Sequence, residues 1–453
     1  MLSLPRLFSD HMVLQQQQEI MVWGSLAANG MVTVHFLDQT VEAVSRNGKW
    51  CVTLAPMPAG GPYTMTITAA DCSIVLRDVY IGEVWVCGGQ SNMEWQLNSS
   101  EYGESEAGQA NYPQIRFFRQ SVQAAEQPVE SVQGEWFPCT REYAGSCSAV
   151  AYYFARRLQE WLGVPIGLLQ TAVGGTAAQY WMSRRSLQED PDFSGYLQMR
   201  RPDDGLTASE WLRRPTVLYN GMIAPIQRYA VRGALWYQGE RNANIYNPIE
   251  YRKLFPALIA DWRRGWRRHD LPFLFVQLPG YGKGVKWPLL REAQLMTALS
   301  VPHTEMAVTI DTGDETDIHP LRKQPVGERL ALLAGNAIYG KSLDSRSPLY
   351  CGARFEEGYA IVRFTHAGSG LAEPEDGLRG FEICGADGVF REAQAKVEGT
   401  DTVVVWHESV QQPRAVRYGW GSRPVCNLYS YAKLPASPFR SDSDVICTDG
   451  ERT

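Results

Sequence analysis

No run of about 18 apolar residues occurs anywhere in the 453-residue chain, so no segment reads as a membrane-spanning helix. Basic charge is also in short supply. Forty-three Lys and Arg against 49 Asp and Glu leave a formal charge of -6, which speaks against nucleic acid or anionic lipid as the main partner. The densest basic patch, Arg263, Arg264, Arg267 and Arg268, closes a helix-like run, where cations favour the negative end of the helix dipole. Nine Cys are present but none form a C-x-x-C pair, so zinc-ribbon spacing is missing. They read as mostly free thiols, with Cys139 and Cys147 able to bridge in an oxidising compartment. The opening Met1-Leu2-Ser3-Leu4-Pro5 has no charged region followed by an apolar one, so no signal peptide is read there. The expectation is a cytoplasmic protein, or a periplasmic or secreted one if residues precede Met1. What is present is ordinary globular material. Apolar residues make up 44% and aromatics 11%, including 14 Trp, enough for about three domains of roughly 150 residues each.

Character changes twice along the chain. Residues 1–77 read as short strands: Val32, Val34 and Phe36 alternate with polar partners, as do Tyr63, Met65 and Ile67, and Asn47-Gly48 marks a hairpin. From residue 78 the run Val79 to Cys87 is nearly continuous apolar sequence ending in Gly88-Gly89, the mark of a buried parallel strand. A helix is predicted near 148–162, with Val150, Tyr153, Phe154, Leu158 and Trp161 on one face and Gly163 past its end. Strands then alternate with helices: strands at 164–169, 231–237, 272–277 and 306–310, helices at 251–266, 289–298 and 326–338. This alternation predicts a doubly wound parallel sheet in an α/β domain over 78–344. Short alternating strands return over 345–453, clearest at Ala360–Phe364 and Thr402–Trp406, as a second all-β module.

Ligands in open α/β sheets bind beyond the carboxyl ends of strands, and four such places carry usable chemistry. Gly88-Gly89-Gln90-Ser91-Asn92-Met93-Glu94-Trp95 sets a serine after two turn-permitting glycines, as a nucleophile or merely as a helix cap. Val173-Gly174-Gly175-Thr176 offers backbone N–H groups for an oxyanion, or a plain loop. Trp236 to Asn242 holds Gln238 and Asn242, both able to donate an amide N–H, with Glu240 as a prop for the loop. Asp311 to Pro320 holds His319 in an acidic cluster, where a carboxylate can fix the imidazole tautomer. A divalent-metal loop of Asp311, Asp314, Asp317 and His319 is the competing reading, set lower because no second ligand cluster appears. Serine, donor glycines, amide and histidine following separate strands make a serine hydrolase, with no cofactor and no resident metal expected.

These blocks, Gly-Gly-Gln-Ser-Asn-Met around Ser91, Gly174-Gly175-Thr176, Trp-Tyr-Gln-Gly-Glu-x-Asn at 236–242 and Asp-Ile-His-Pro at 317–320, resemble the SGNH hydrolase superfamily. They resemble most its sialate O-acetylesterase branch, related to acetylxylan esterases. Leu7 to Gln15 and Leu434 to Arg440 resemble that branch's flanking β regions. The resemblance implies a flavodoxin-like SGNH core between the two β modules and an O-acetylated sugar as substrate. It implies Ser91 as nucleophile, His319 as general base, and the backbone of Ser91 and Gly175 as oxyanion hole. Two departures stand out. Many SGNH enzymes carry the third oxyanion donor as Asn in a Gly-x-Asn-Asp block; here Gln238 and Asn242 compete, and Gln238 is favoured because it ends the strand. The usual Asp-x-x-His spacing falls on Thr316, which leaves Asp317, Asp314 or a Ser-His dyad open. Trp95 and Trp181 are candidates for stacking on a sugar, with core packing the alternative for each. Arg241, where many relatives carry a small residue, is a candidate for narrowing the pocket or meeting an acidic sugar. Acetylxylan ester hydrolysis, and a non-catalytic carbohydrate-binding protein with a degenerate site, are the rival readings.

Overall fold

The computed structural model describes residues 1–70, 72–198, 207–282 and 286–442. Of the nine Cys, Cys447 lies outside these, and the other eight, Cys139 and Cys147 included, are free thiols. The chain forms two compact units, residues 1–237 with 257–273, and residues 238–256 with 274–453.

The first unit is organised by one long strand, β1 (Cys72–Gly89), whose burial pattern explains its two roles. Its first half alternates between exposed and covered positions and pairs antiparallel with the strand Gly60–Ala69. Its second half is buried at every position and pairs parallel with Ile166–Ala172 on one side and Gly233–Tyr237 on the other. Backbone covered on both faces requires side chains that need no water, and Val84, Trp85, Val86 and Cys87 provide them. The strand runs unbroken through residues 77 and 78, where the sequence changes character.

The sheet is mixed, which corrects the expectation of a purely parallel one. Asn111–Gln120 runs parallel to Ile166–Ala172, but Gly134–Thr140 lies antiparallel on its other side, with a register shift between Pro138 and Cys139. Neither of these two strands is read in the sequence. Asn111–Gln120 carries Pro113, Arg116 and Arg119 and buries four consecutive residues rather than alternate ones, so it matches no simple period.

The helix α1 (Ala149–Leu162) forms as its pattern predicts. Ser148 caps it by accepting from Ala151 N at 3.2 Å, and Gly163 ends it at φ +64°. Its apolar face buries Val150, Tyr153, Phe154 and Leu158, and Phe154 meets Trp85 edge to face at 5.1 Å. In the N-terminal strands the Asn47-Gly48 hairpin is present, both residues at positive φ, with Arg46 and Lys49 exchanging backbone hydrogen bonds of 2.9 and 3.0 Å.

In the second unit the strand Thr304–Val308 lies between the helices α2 (Lys286–Ser300) and α3 (Gln324–Ala337) in sequence, and among the described residues the elements from Leu349 onward are all strands. Two four-stranded sheets enclose a core that includes Val362, Phe364, Phe381, Ile383, Val403, Val405, Val416 and Phe439. Arg291, fully buried on α2, ties this β region to the helix: its guanidinium donates to the carbonyls of Pro279, Ser422 and Gly421. Burial lowers its pKa to about 10.

Candidate active site

In the first unit, β1 ends at Gly89, φ +138°, against the backbone of Tyr237; an added Cβ there would come within 2.1 Å of the Tyr237 carbonyl oxygen. Only glycine permits that approach. Gln90 N then donates to the same oxygen at 3.0 Å, and the chain turns directly into the short helix Ser91–Glu94. Ser91 is the first helical residue, and Gln90 holds the cap position without a side-chain cap hydrogen bond, so Ser91 is not the helix cap. Asn92 and Met93 are buried beneath this turn, while Ser91 is half-buried.

The Gly174-Gly175 loop packs on Ser91. A Cβ built on Gly174 would lie 3.5 Å from Ser91 Cβ and 3.2 Å from Glu94 Oε2. The Gly174 N–H donates to that carboxylate oxygen at 2.8 Å. Glu94 as a whole is exposed, yet its carboxyl end is crowded by protein; this desolvation raises its pKa against the lowering effect of the Gly174 N–H. Gly175 follows at φ +66°, and among the described residues its N–H makes no hydrogen bond to the protein. The loop therefore offers one backbone donor already engaged and one open.

The two tryptophans differ. Trp95 is half-buried beside Ser91, its indole N–H donating to Ser99 O at 2.9 Å. Trp181 is 0% exposed, donates to Thr176 Oγ1 at 3.0 Å and meets Trp236 edge to face at 6.3 Å. A ring with no accessible face cannot stack on a sugar, so the sugar-stacking expectation for Trp181 is corrected to core packing.

In the second unit, Gln238 is fully buried and its side-chain amide is engaged at both ends. Tyr251 Oη donates to Gln238 Oε1 at 2.9 Å, and Gln238 Nε2 donates to Asn242 Oδ1 at 2.7 Å. Because Asn242 accepts through its oxygen, its NH2 is turned to the other side. Asn242, Arg241 and Glu240 lie on the helix Glu240–Ile245; Asn242 and Glu240 are buried and Arg241 half-buried.

Asp317 Oδ1 accepts the backbone N–H of His319 at 2.8 Å and lies 3.2 Å from its Nδ1. Asp314 holds the turn instead: its Oδ1 accepts from Thr316 N, Thr316 Oγ1 and Asp317 N, which lowers its pKa. Asp311 forms a two-pronged ion pair with Arg329 at 2.6 and 2.7 Å. The carboxylates of the metal-loop reading are thus committed to separate tasks, and among the described residues no group of three or more His, Cys, Asp or Glu is placed to hold a metal.

A family profile described as carbohydrate esterase, sialic acid-specific acetylesterase matches residues 81–333, more than half of the chain. The rat sialate O-acetylesterase is 31% identical over 503 residues, spanning 95% of this chain and 92% of that protein. This chain belongs to the sialic acid-specific acetylesterase family of carbohydrate esterases. The human sialate O-acetylesterase is 30% identical, spanning 95% of this chain and 91% of that protein. A crystal structure of a carbohydrate acetylesterase from Xanthomonas citri superposes with a TM-score of 0.90 at 38% identity, covering 98% of this chain and 100% of that one.

Within this esterase, sequence reasoning overlooked four residues that shape the site region. Glu94 clamps the glycine loop, and its helical spacing from Ser91 was a usable signal. Tyr251 orients Gln238 from thirteen residues away. Arg213 faces Gly175. Lys323, at the N-cap of α3, is buried, and burial lowers its pKa to about 7 while Glu240 and Asp317 pull it back upward. No local pattern in the sequence marks these last three.

Proposed function

We propose that this carbohydrate esterase removes O-acetyl groups from sialic acid, using Ser91 as nucleophile and His319 as general base on an SGNH-type hydrolase core. The observation that carries the reading is the packing of Gly174 on Ser91, 3.5 Å from Cβ position to Cβ, inside the segment that matches the family profile. That contact sets a backbone-donor loop beside a serine at the head of a turn, the arrangement acyl transfer needs.

In this mechanism His319 takes the Ser91 proton as Oγ attacks the acetyl carbonyl carbon. The resulting oxyanion is held by the N–H groups of Ser91 and Gly175 and by the Asn242 side-chain amide. Collapse breaks the ester C–O bond, and His319 returns the proton to the departing sugar oxygen. Water, deprotonated by His319, then attacks the acetyl-enzyme; acetate leaves and Ser91 regains its proton. Asp317 is assigned to hold the ring, supported by its hydrogen bond to the His319 backbone and its 3.2 Å approach to Nδ1. Asn242 is preferred over Gln238 as oxyanion donor because the Gln238 Nε2 is directed at Asn242 Oδ1. The sialate preference follows the names of the rat and human relatives.

Acetate release from an O-acetylated sialic acid and from an acetylated xylan, measured side by side with Ser91→Ala as control, tests the proposal. Faster release from the sialic acid, lost in the variant, is expected. Undiminished release by Ser91→Ala would end the mechanism, and a preference for xylan would end the substrate assignment.

A further inference from the structure

Gly175 leaves open the space in which a side chain would project, and Arg213 faces that space. Arg213 Nη2 lies 3.5 Å, and Nε 4.0 Å, from where a Cβ on Gly175 would sit. The preceding residue, Gly174, is the one packed on Ser91. A guanidinium therefore stands over the loop one residue step, about 3.8 Å between Cα atoms, from the glycine that touches the candidate nucleophile.

Arg213 differs from the other arginines nearby in sequence. Arg214 stacks on Trp211 with its guanidinium 5.0 Å from the ring centroid. Arg213 is exposed, and among the described residues its side chain enters no ion pair or hydrogen bond. Its backbone is nevertheless fixed: Arg213 N donates to Glu210 O at 3.1 Å, and Glu210 Oε2 accepts from Thr207 N and Thr207 Oγ1 at 2.9 and 2.7 Å. The turn is locked by local hydrogen bonds and the charged end is left to face the glycine loop.

An exposed guanidinium offers a planar fork that matches a carboxylate in two-pronged fashion. In a chain with a formal charge of -6 it is also a local attractor for an anion that the overall field does not favour. We infer that Arg213 is the specificity residue that binds the carboxylate of an acidic, O-acetylated sugar while the acetyl group is presented to Ser91. This rests on the acetylesterase reading above and assigns to Arg213 the anion contact that the sequence suggested for Arg241.

The test compares wild type, Arg213→Ala and Arg213→Lys on three acetate esters: 9-O-acetyl-N-acetylneuraminic acid, the methyl ester of that sugar's carboxylate, and 4-nitrophenyl acetate. Arg213→Ala is expected to lower kcat/KM on the free acid about 10- to 100-fold more than on either neutral ester, chiefly through KM. Arg213→Lys, which keeps the charge and loses the fork, is expected to fall between. Equal losses on all three esters, or a loss carried in kcat, would mean that Arg213 serves the oxyanion or the fold, and would overturn the inference. So would a wild type indifferent to methylation of the carboxylate. In each of these cases, 4-nitrophenyl acetate turnover that disappears in Ser91→Ala leaves the esterase reading standing. Absence of that turnover in wild type would remove the esterase reading and this inference with it.

Discussion

Gln238 donates to Asn242 across 2.7 Å, from one buried amide to another, while Tyr251 donates to the opposite end of Gln238. The relay fixes which face of Asn242 carries its N–H groups. Asn242→Ala is therefore expected to lower kcat by about 10²–10³ with little change in KM, as loss of one oxyanion donor does. Gln238→Ala, which removes the contact that orients Asn242, is expected to cost less than Asn242→Ala. Steady-state kinetics of both variants checks this; a larger fall for Gln238→Ala reverses the assignment.

Asp317 is more than half exposed at its side chain yet holds both the backbone and the ring of His319. Asp317→Asn is expected to lower kcat about 10- to 100-fold, less than the roughly 10⁴ seen when a buried triad acid is neutralised. A rate near wild type would favour a Ser-His dyad, and the same fall in Asp314→Asn would point to collapse of the turn instead.

Trp181 sits in a cluster with Trp236 and Trp262, and Trp262 Nε1 donates to its carbonyl at 2.9 Å. Trp181→Ala is expected to cost about 3–5 kcal/mol of stability in denaturant unfolding. Trp95→Ala, at a half-buried position next to the serine turn, is expected to raise KM for the sugar instead. A stable Trp181→Ala with a raised KM would restore that ring to the binding surface.

Legibility in the sequence tracked how local the signal was. The buried strand before Ser91, the helix over residues 149–162 and the Asn47-Gly48 hairpin follow from period and turn chemistry within a few residues. The antiparallel strand Gly134–Thr140 was hidden because an edge strand carrying Pro138 follows no clean alternation. Ser91, Gly175 and His319 stand out in the sequence as candidates because each follows a strand in a short motif. The Gln238–Asn242 relay, the Glu94 clamp on Gly174 and Arg213 over Gly175 are partnerships set by folding, which a linear pattern does not carry. Trp181 was misread for a related reason: composition shows an aromatic near a loop but not whether its face is covered.

Lys323 titrates near pH 7 when folded, because burial disfavours its charge, against 10.5 for an ordinary lysine. The unfolded chain therefore binds a proton that the folded chain refuses between those values. This contribution to stability is present above about pH 10.5 and is lost as pH falls to about 7. Lys323→Met removes it, so the Tm difference, variant minus wild type, is expected to grow in the variant's favour from about pH 10 down to about pH 7. A difference that stays constant over this range would show that Lys323 keeps its proton in the fold.

The central claim is that Ser91 and His319 act as one catalytic unit, and a double-mutant cycle on acetate release tests it most directly. Ser91→Ala, His319→Ala and the double variant are assayed on 9-O-acetyl-N-acetylneuraminic acid, each with its fold checked by circular dichroism. Each single variant is expected to lose about 10⁴-fold or more in kcat, and the double variant to lose no more than either alone. Losses that multiply in the double variant, or a His319→Ala enzyme close to wild type, would contradict the account.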